Sequence, residues 1–395
     1  MPARRLIVLL CLMGAANTVS IGAFPALLPE LGAEGLTDWQ LGAVAGAFGF
    51  ARMVSNVPAG LFMTHHLARA LVVAPAFLLA GALLMAGGGT FVSLVSGRVV
   101  MGVGHTLTTL GGLTAILRYR AGARLASSLG AMEFAAMLGV LSGATLLSIL
   151  PRSVPWPTAW LAACAPLAAS LLLLPALRRA LPAPSVNGSR SFFARTEDVG
   201  SPGTALVAAG PSRSLALLAV VTGGAVAVSY ATVEQFVIPL RGSREFGLDR
   251  AGIARLLMLS QAVDIVALLP VGALADRRGT PPVLGGVLLL FSLALALIGF
   301  GSLPLMVDGC ALFGLSMAGW MLPLGILRSA TPPDQVAWRT ALYRVAVDGG
   351  MFLGPFVAGL LTARHAGVLP GVMTVVLAAV GLALLGLGRR AGRSR

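Results

Sequence analysis

The chain has no lysine: all 28 of its basic residues are arginine. Charge of either sign is scarce, at 11% of 395 residues, where an ordinary soluble domain carries about 25%. Cysteine is rarer still. Cys11, Cys164 and Cys310 lie inside apolar runs with no CxxC pair, which excludes a disulfide framework and a cysteine-based metal site. Walker loops, GxSxG and HExxH are absent, so no motif supports nucleotide, hydrolase or zinc chemistry. The expectation is a non-enzyme with no cofactor and no metal. What is present in excess is apolar: 57% of the residues are hydrophobic, and 50 more are glycine. A soluble core cannot hide that much apolar surface. The net charge of +14 does not point to nucleic acid, because the arginines sit in short clusters between long apolar runs, a membrane pattern. Biased genome composition accounts for arginine replacing lysine.

Apolar stretches of about 20 residues, each enough to cross a bilayer, recur along the chain. Twelve are read: 6–29, 40–63, 70–88, 91–117, 125–150, 158–177, 214–239, 251–273, 283–300, 303–327, 338–362 and 366–388. The first shows no small-residue cleavage pattern and reads as a retained span. Alternate connections differ in charge. One set holds Arg4, Arg5, Arg69, Arg118, Arg120, Arg124, Arg178, Arg179 and eleven further arginines. The other holds Arg152, Arg241, Arg244, Arg250 and Arg364, together with Glu30, Glu34, Asp38, Glu245 and Asp249. The positive-inside rule then puts both termini in the cytoplasm of a multi-pass protein of a bacterial inner membrane. Residues 178–213, rich in Pro, Ser and Gly, have linker composition. They divide the chain into six-helix bundles at 1–177 and 214–395.

Sliding the second half back by 210–215 residues superposes its punctuation on the first. Pro58 and Gly60 fall on Pro270 and Gly272, Gly104 on Gly314, Gly139 on Gly354, and Glu133 on Asp348. Self-similarity of this kind marks transporters built from repeats, with the site at the repeat interface.

Over essentially its full length the chain resembles the major facilitator superfamily. Gly272-Ala-Leu-Ala-Asp276-Arg277-Arg278-Gly279 looks like that family's Gly-x-Leu-x-Asp-Arg-x-Gly signature. The first-half copy, from Gly60 to Arg69, has Thr64 where the Asp is expected. Arg98-Val-Val-Met-Gly102-Val-Gly104 is similar to the Arg-x-x-x-Gly-x-Gly motif. Gly350-Met-Phe-Leu-Gly354-Pro355 resembles the Gly-x-x-x-Gly-Pro element associated with antiporters, whereas the fifth span has Val140 in place of that proline. The resemblance implies an all-α fold of twelve spans in two pseudo-symmetric bundles. It also places spans 3, 6, 9 and 12 at the lipid-facing periphery, and those four contain no Asp, Glu, Arg or His.

The resemblance packs span 2 against 11 and span 5 against 8. Counting residues from the arginine-rich ends puts Arg52, Glu133, Asp264 and Asp348 all near mid-membrane. One seam then joins Arg52 to Asp348, with Arg344 one turn away, as a latch across a moving interface. The other joins Glu133 to Asp264, two acids suited to sharing a coupling proton. The competing reading satisfies each acid separately, by backbone, Arg255 or water. For the cavity, the resemblance implies spans 1, 4, 7 and 10. The polar and aromatic candidates there are Asn17, Arg98, His105, Tyr230, Glu234, Asp308 and Trp320. Burying Arg98 demands an anionic partner or ligand; Asp308, its repeat mate at a similar depth on span 10, either lines a two-signed site for a zwitterion with it or pairs with it. Asp276, Arg277 and Gly279 read as a gate near the start of span 5 and Arg124, or simply as a topological anchor. The expected function is proton-coupled movement of a small organic solute by alternating access, leaning to efflux by antiport. Uptake by symport and a non-transporting assembly factor or sensor are the alternatives. The expected partners are the solute, protons and the lipid bilayer, with no nucleic acid, and the chain is expected to act as a monomer.

Overall fold

The computed structural model describes residues 2–119, 125–181, 213–331, 335–365 and 367–393, and every extended element among them is a helix. The expected linker 178–213 therefore lies outside the described residues between 182 and 212. Eleven helices are long and apolar enough to cross a membrane. One of them, Asp38–Gly88, has 51 residues, about 76 Å at the helical rise, which is two crossings. It bends at His66, whose φ of −129° and ψ of 36° are not helical. The twelve spans are α1 (Pro2–Ala33), α2 and α3 (Asp38–Gly88, before and after His66), α4 (Phe91–Tyr119) and α5 (Leu125–Ile149). They continue as α6 (Trp156–Ala180) and α7 (Leu215–Arg244). Then follow α8 (Arg250–Arg278), α9 (Thr280–Phe300), α10 (Leu303–Ser329), α11 (Val336–His365) and α12 (Val368–Arg393).

Within each half the same pairs pack: α1 on α5 and α7 on α11, α2 on α4 and α8 on α10, α9 on α12 as α3 on α6. Glycine makes these contacts backbone-close, as small residues do in membrane bundles. A Cβ on Gly143 would lie 2.0 Å from the Val19 carbonyl oxygen, and one on Gly354 2.5 Å from that of Val228. Gly139 and Gly350 repeat this one turn away, against the carbonyls of Ala15 and Gly224. Gly102 sits on the Phe48 carbonyl as Gly314 sits on that of Ser260. These equivalences correct the repeat register read from the sequence. Gly314 matches Gly102, not Gly104, and Gly354 matches Gly143, not Gly139. By the same registers Arg98 corresponds to Cys310 and Glu133 to Arg344, so neither Asp308 nor Asp348 is the repeat mate of those residues. Isolated glycines are too common to fix a register; the carbonyl each one touches does fix it.

The halves meet along α2–α11 and α5–α8, with α1 also touching α7 and α8. One face of this interface is sealed. There Gly42, Gly46 and Gly49 of α2 lie against the backbones of Pro355, Phe352 and Met351 of α11. Ion pairs cross the halves at the same end. Arg244 Nη2 is 2.6 Å from Asp38 Oδ1, Arg250 Nη1 is 3.4 Å from Glu30, and Arg152 pairs with Asp249. Arg250 is buried and also donates to the carbonyls of Pro151 and Val154, at 2.9 and 3.0 Å. This clasp occupies the connections that carry Glu30, Asp38 and Asp249. On the opposite, arginine-rich face no ion pair joins the halves among the described residues. Asp249 also caps α8, accepting from the Gly252 N–H at 2.9 Å.

Gly143→Val and Gly354→Val should each cost about 3 kcal/mol, the upper end of overpacking, and lower the unfolding temperature in detergent. Gly286→Ala meets nothing within 4 Å and should gain about 0.5–1 kcal/mol from helix propensity. Burial alone would raise the Asp249 carboxyl, but the Gly252 N–H and the Arg152 guanidinium hold it below its ordinary value. Its stabilising contribution is thus fully present above about pH 4, and is lost only as pH falls through the depressed folded value. Acid titration of thermal stability should show this limb below pH ~4, and Asp249→Asn should flatten it.

Candidate functional site

Two irregularities in otherwise regular helices converge on the second half. Residues Val233–Val237 of α7 form a π-helical turn, and α10 breaks between Met317 and Leu322. A π-turn inserts one residue and re-aims its neighbours, which is why such turns mark functional sites. Here it turns Glu234 inward, 2% exposed. Tyr230 Oη donates to Glu234 Oε1 at 2.7 Å, and Gln261 Nε2 of α8 donates to Oε2 at 2.9 Å. Tyr230 stacks on Phe313 with centroids 6.0 Å apart and meets Trp320, in the α10 break, at 5.8 Å. Glu234, Tyr230 and Trp320 thus form one unit with Gln261, which sequence reasoning missed. Gln261 lies three residues before Asp264, on the same face of α8, and that spacing was the available signal.

Asp264 is buried, and its Oδ1 has no hydrogen-bond partner among the described residues. The charges of both Glu234 and Glu133 reach it, so the two-acid seam contains a third carboxylate. Glu133 is the exposed member of the three, on α5, and makes no ion pair among the described residues.

The α2–α11 seam holds the first-half cation. Arg52 Nη2 lies 2.6 Å from Asp348 Oδ1, and Asn56 Nδ2 donates to Asp348 Oδ2. Asp348 is 1% exposed. Arg344, four residues earlier on α11, is exposed and unpaired among the described residues. Asn56 went unremarked in the sequence because an amide there carries no charge pattern.

Arg98 is 2% exposed and does not meet Asp308. Its guanidinium stands over the rings of Phe24 and Phe48, 3.9 and 4.8 Å from their centroids. Nε and Nη2 donate long bonds to the Val44 and Ala45 carbonyls, at 3.4 and 3.3 Å. Cation–π contact and helix carbonyls replace the anionic partner that a buried Arg was expected to demand. Asp308 is exposed and unpaired among the described residues. The Arg98–Asp308 pairing is therefore corrected, and one register error, Asp308 for Cys310, lies behind it. His105 is buried two turns along α4, tilted on Phe48 at 5.3 Å, with Nδ1 unpartnered among the described residues. The charges of Arg52, Arg344 and Arg98 reach it. Asn17 of α1 is 1% exposed, and neither polar atom of its side chain has a partner among the described residues.

Asp276 and Arg277 are exposed on the arginine-rich face, with no ion pair among the described residues. Arg124, the expected partner of Asp276, lies outside them. Gly279 ends α8 at φ +86°, a left-handed turn that favours glycine. A shallow apolar cleft of about 500 Å³ between α7 and α11 is lined by Val220, Val228, Val345, Leu353 and their neighbours, and includes none of these polar groups.

Twelve spans in two repeated bundles, with charge concentrated at the seam and two helices interrupted beside it, define the architecture of a secondary transporter. The comparisons agree. Residues 215–394 match the model of the Major Facilitator Superfamily, and no curated protein matches. The chain is similar in structure to a POT family transporter solved with 5-aminolevulinic acid, with a TM-score of 0.76 and 12% identity over 97% of this chain and 96% of that one. It is similar to the nucleoside transporter NupG, at 0.73 and 14% over 98% and 99%. The human organic anion transporter MFSD10 matches at 0.66 and 17% over 98% and 100%. The family match covers the second half, and the shared fold covers nearly the whole chain.

Gln261→Leu should leave Glu234 Oε2 bare and destabilise the protein by about 1–3 kcal/mol. Adding Glu234→Gln should recover most of that loss, measured as thermal unfolding in detergent.

Proposed function

We propose that the protein is a proton-coupled secondary transporter that exports a small organic solute across a bacterial cytoplasmic membrane, with both termini inside. One observation carries the coupling: Asp264, buried with a free carboxylate oxygen, lies within the charge range of both Glu133 and Glu234. Two buried carboxylates, Glu234 and Asp264, in one low-dielectric site cannot both stay ionised cheaply, so the site takes up a proton and gives it back as its surroundings change. Glu133 is exposed, Asp264 is 8% exposed, and Glu234 is the most buried at 2%, held by Tyr230 and Gln261. That order allows a proton to pass from one side to the other as the bundles rock.

Antiport is favoured by the position of the acids. Tyr230 and Trp320 offer a solute its aromatic wall, and Glu234 belongs to the same unit. Solute and proton then compete for one site, and competition enforces exchange. Gly354-Pro355 adds nothing to the direction, because Gly354 serves the α7–α11 packing just as Gly143 serves α1–α5. The solved POT and nucleoside transporters agree with a polar organic solute.

In proteoliposomes screened with a panel of small solutes, an imposed pH gradient should drive flux of at least one. Asp264→Asn and Glu234→Gln should each abolish the pH-driven component, while Glu133→Gln slows it. In weakly buffered detergent solution, adding that solute should release protons for antiport; proton uptake would mean symport. Absence of pH-driven flux for every solute, or its survival in both Asp264→Asn and Glu234→Gln, would sink the coupling assignment.

A further inference from the structure

Asp348 has a second cation in reserve. It is 1% exposed, and in this arrangement its charge is matched from across the seam by Arg52. The seam is the one that must part when the sealed face opens, because Gly42, Gly46 and Gly49 of the same helix α2 lie in backbone contact with α11 above it. Pulling Arg52 away would strand a buried carboxylate, and an uncompensated buried charge is the expensive product of breaking an ion pair. A protein that rocks repeatedly needs another way to keep that charge matched.

Arg344 supplies one. It precedes Asp348 by four residues in an unbroken stretch of α11, so the two side chains rise from one helix face about 6 Å apart at Cβ. It is exposed and makes no ion pair among the described residues. We propose that Arg344 takes over Asp348 when Arg52 leaves: the carboxylate is handed from a cross-seam partner to a partner on its own helix. A basic residue N-terminal to an acidic one is the weaker orientation of an i, i+4 pair, which agrees with Arg52 holding Asp348 while the seam is closed. Arg344 is thus a positioning residue for the conformational change and touches no solute in this role.

A double-mutant cycle tests the hand-over without knowledge of the solute, so its outcome is independent of the transport assignment. Thermal unfolding in detergent is measured for Arg52→Gln, Arg344→Gln and the double variant, each with Asp348 intact and with Asp348→Asn. With Asp348 intact, Arg344→Gln alone should be silent and Arg52→Gln mild, because Arg344 steps in. The double variant should lose far more than the sum, a coupling of about tenfold or more in the unfolding constant. Arg344→Lys should restore it, and Asp348→Asn should erase the coupling. A double variant that folds only together with Asp348→Asn supports the hand-over equally. Additive losses, or a coupling that persists with Asp348→Asn, overturn it. For the motion itself, spin labels at Ser153 and Ser243, in a variant whose three cysteines are replaced, report the sealed face. Arg52→Gln should increase the long-distance population, and adding Arg344→Gln should reverse that increase. An increase that Arg344→Gln leaves untouched, or no increase at all, overturns the role in rocking.

Discussion

A charged group withdrawn from water must be matched by the protein, and nearly every informative feature of this molecule follows from that constraint. The apolar helices are interchangeable solutions to crossing a bilayer. The few ionisable groups among them are not, because each needs its own partner at its own depth. Asp348 finds Arg52 and Asn56, Glu234 finds Tyr230 and Gln261, and Arg98 finds two aromatic rings and two helix carbonyls. Two of these three solutions lie at or beside the contact between halves, where a small rotation changes who matches whom. Buried charge therefore makes the interface switchable where apolar packing alone would make it sticky.

The two halves share their backbone plan and differ in their charge. Glycines at matching positions bring α5 onto α1 and α11 onto α7, and the same device joins α4 to α2 and α10 to α8. The corrected register shows how far the side chains have diverged on that frame: Arg98 answers to Cys310, and Glu133 to Arg344. Acids gather around α7 and α8, where Glu234 and Asp264 are both buried. The clasp on the sealed face adds a third arrangement, in which Arg244, Arg250 and Arg152 hold acids of the opposite half.

Much of this was legible in the residues. Run length and arginine clusters predicted twelve spans, and the 51-residue helix bent at His66 supplies the second and third of them. Depth counting brought Arg52 to the level of Asp348 and Glu133 to that of Asp264. The errors share one physical cause. A repeat register read from glycines and prolines is uncertain by a turn, and a turn is enough to exchange one polar residue for another. Asp308 became the supposed mate of Arg98 in this way. Gln261 and Asn56 escaped notice because neutral amides are unremarkable until a carboxylate faces them. The acids of the clasp were counted as topology, since nothing local says that a short loop will meet one from the other bundle.

The sequence by itself determined the solvent, the number of crossings and the scarcity of charge, because hydropathy acts on each segment separately over about 20 residues. Tertiary structure alone decided the partners. Hydrogen bonds and ion pairs act over about 3 Å, far less than a helix diameter, so helix rotation and register select which of several candidates meet. The π-turn that aims Glu234, the ring cage of Arg98 and the Arg52–Asp348 pair all belong to that level.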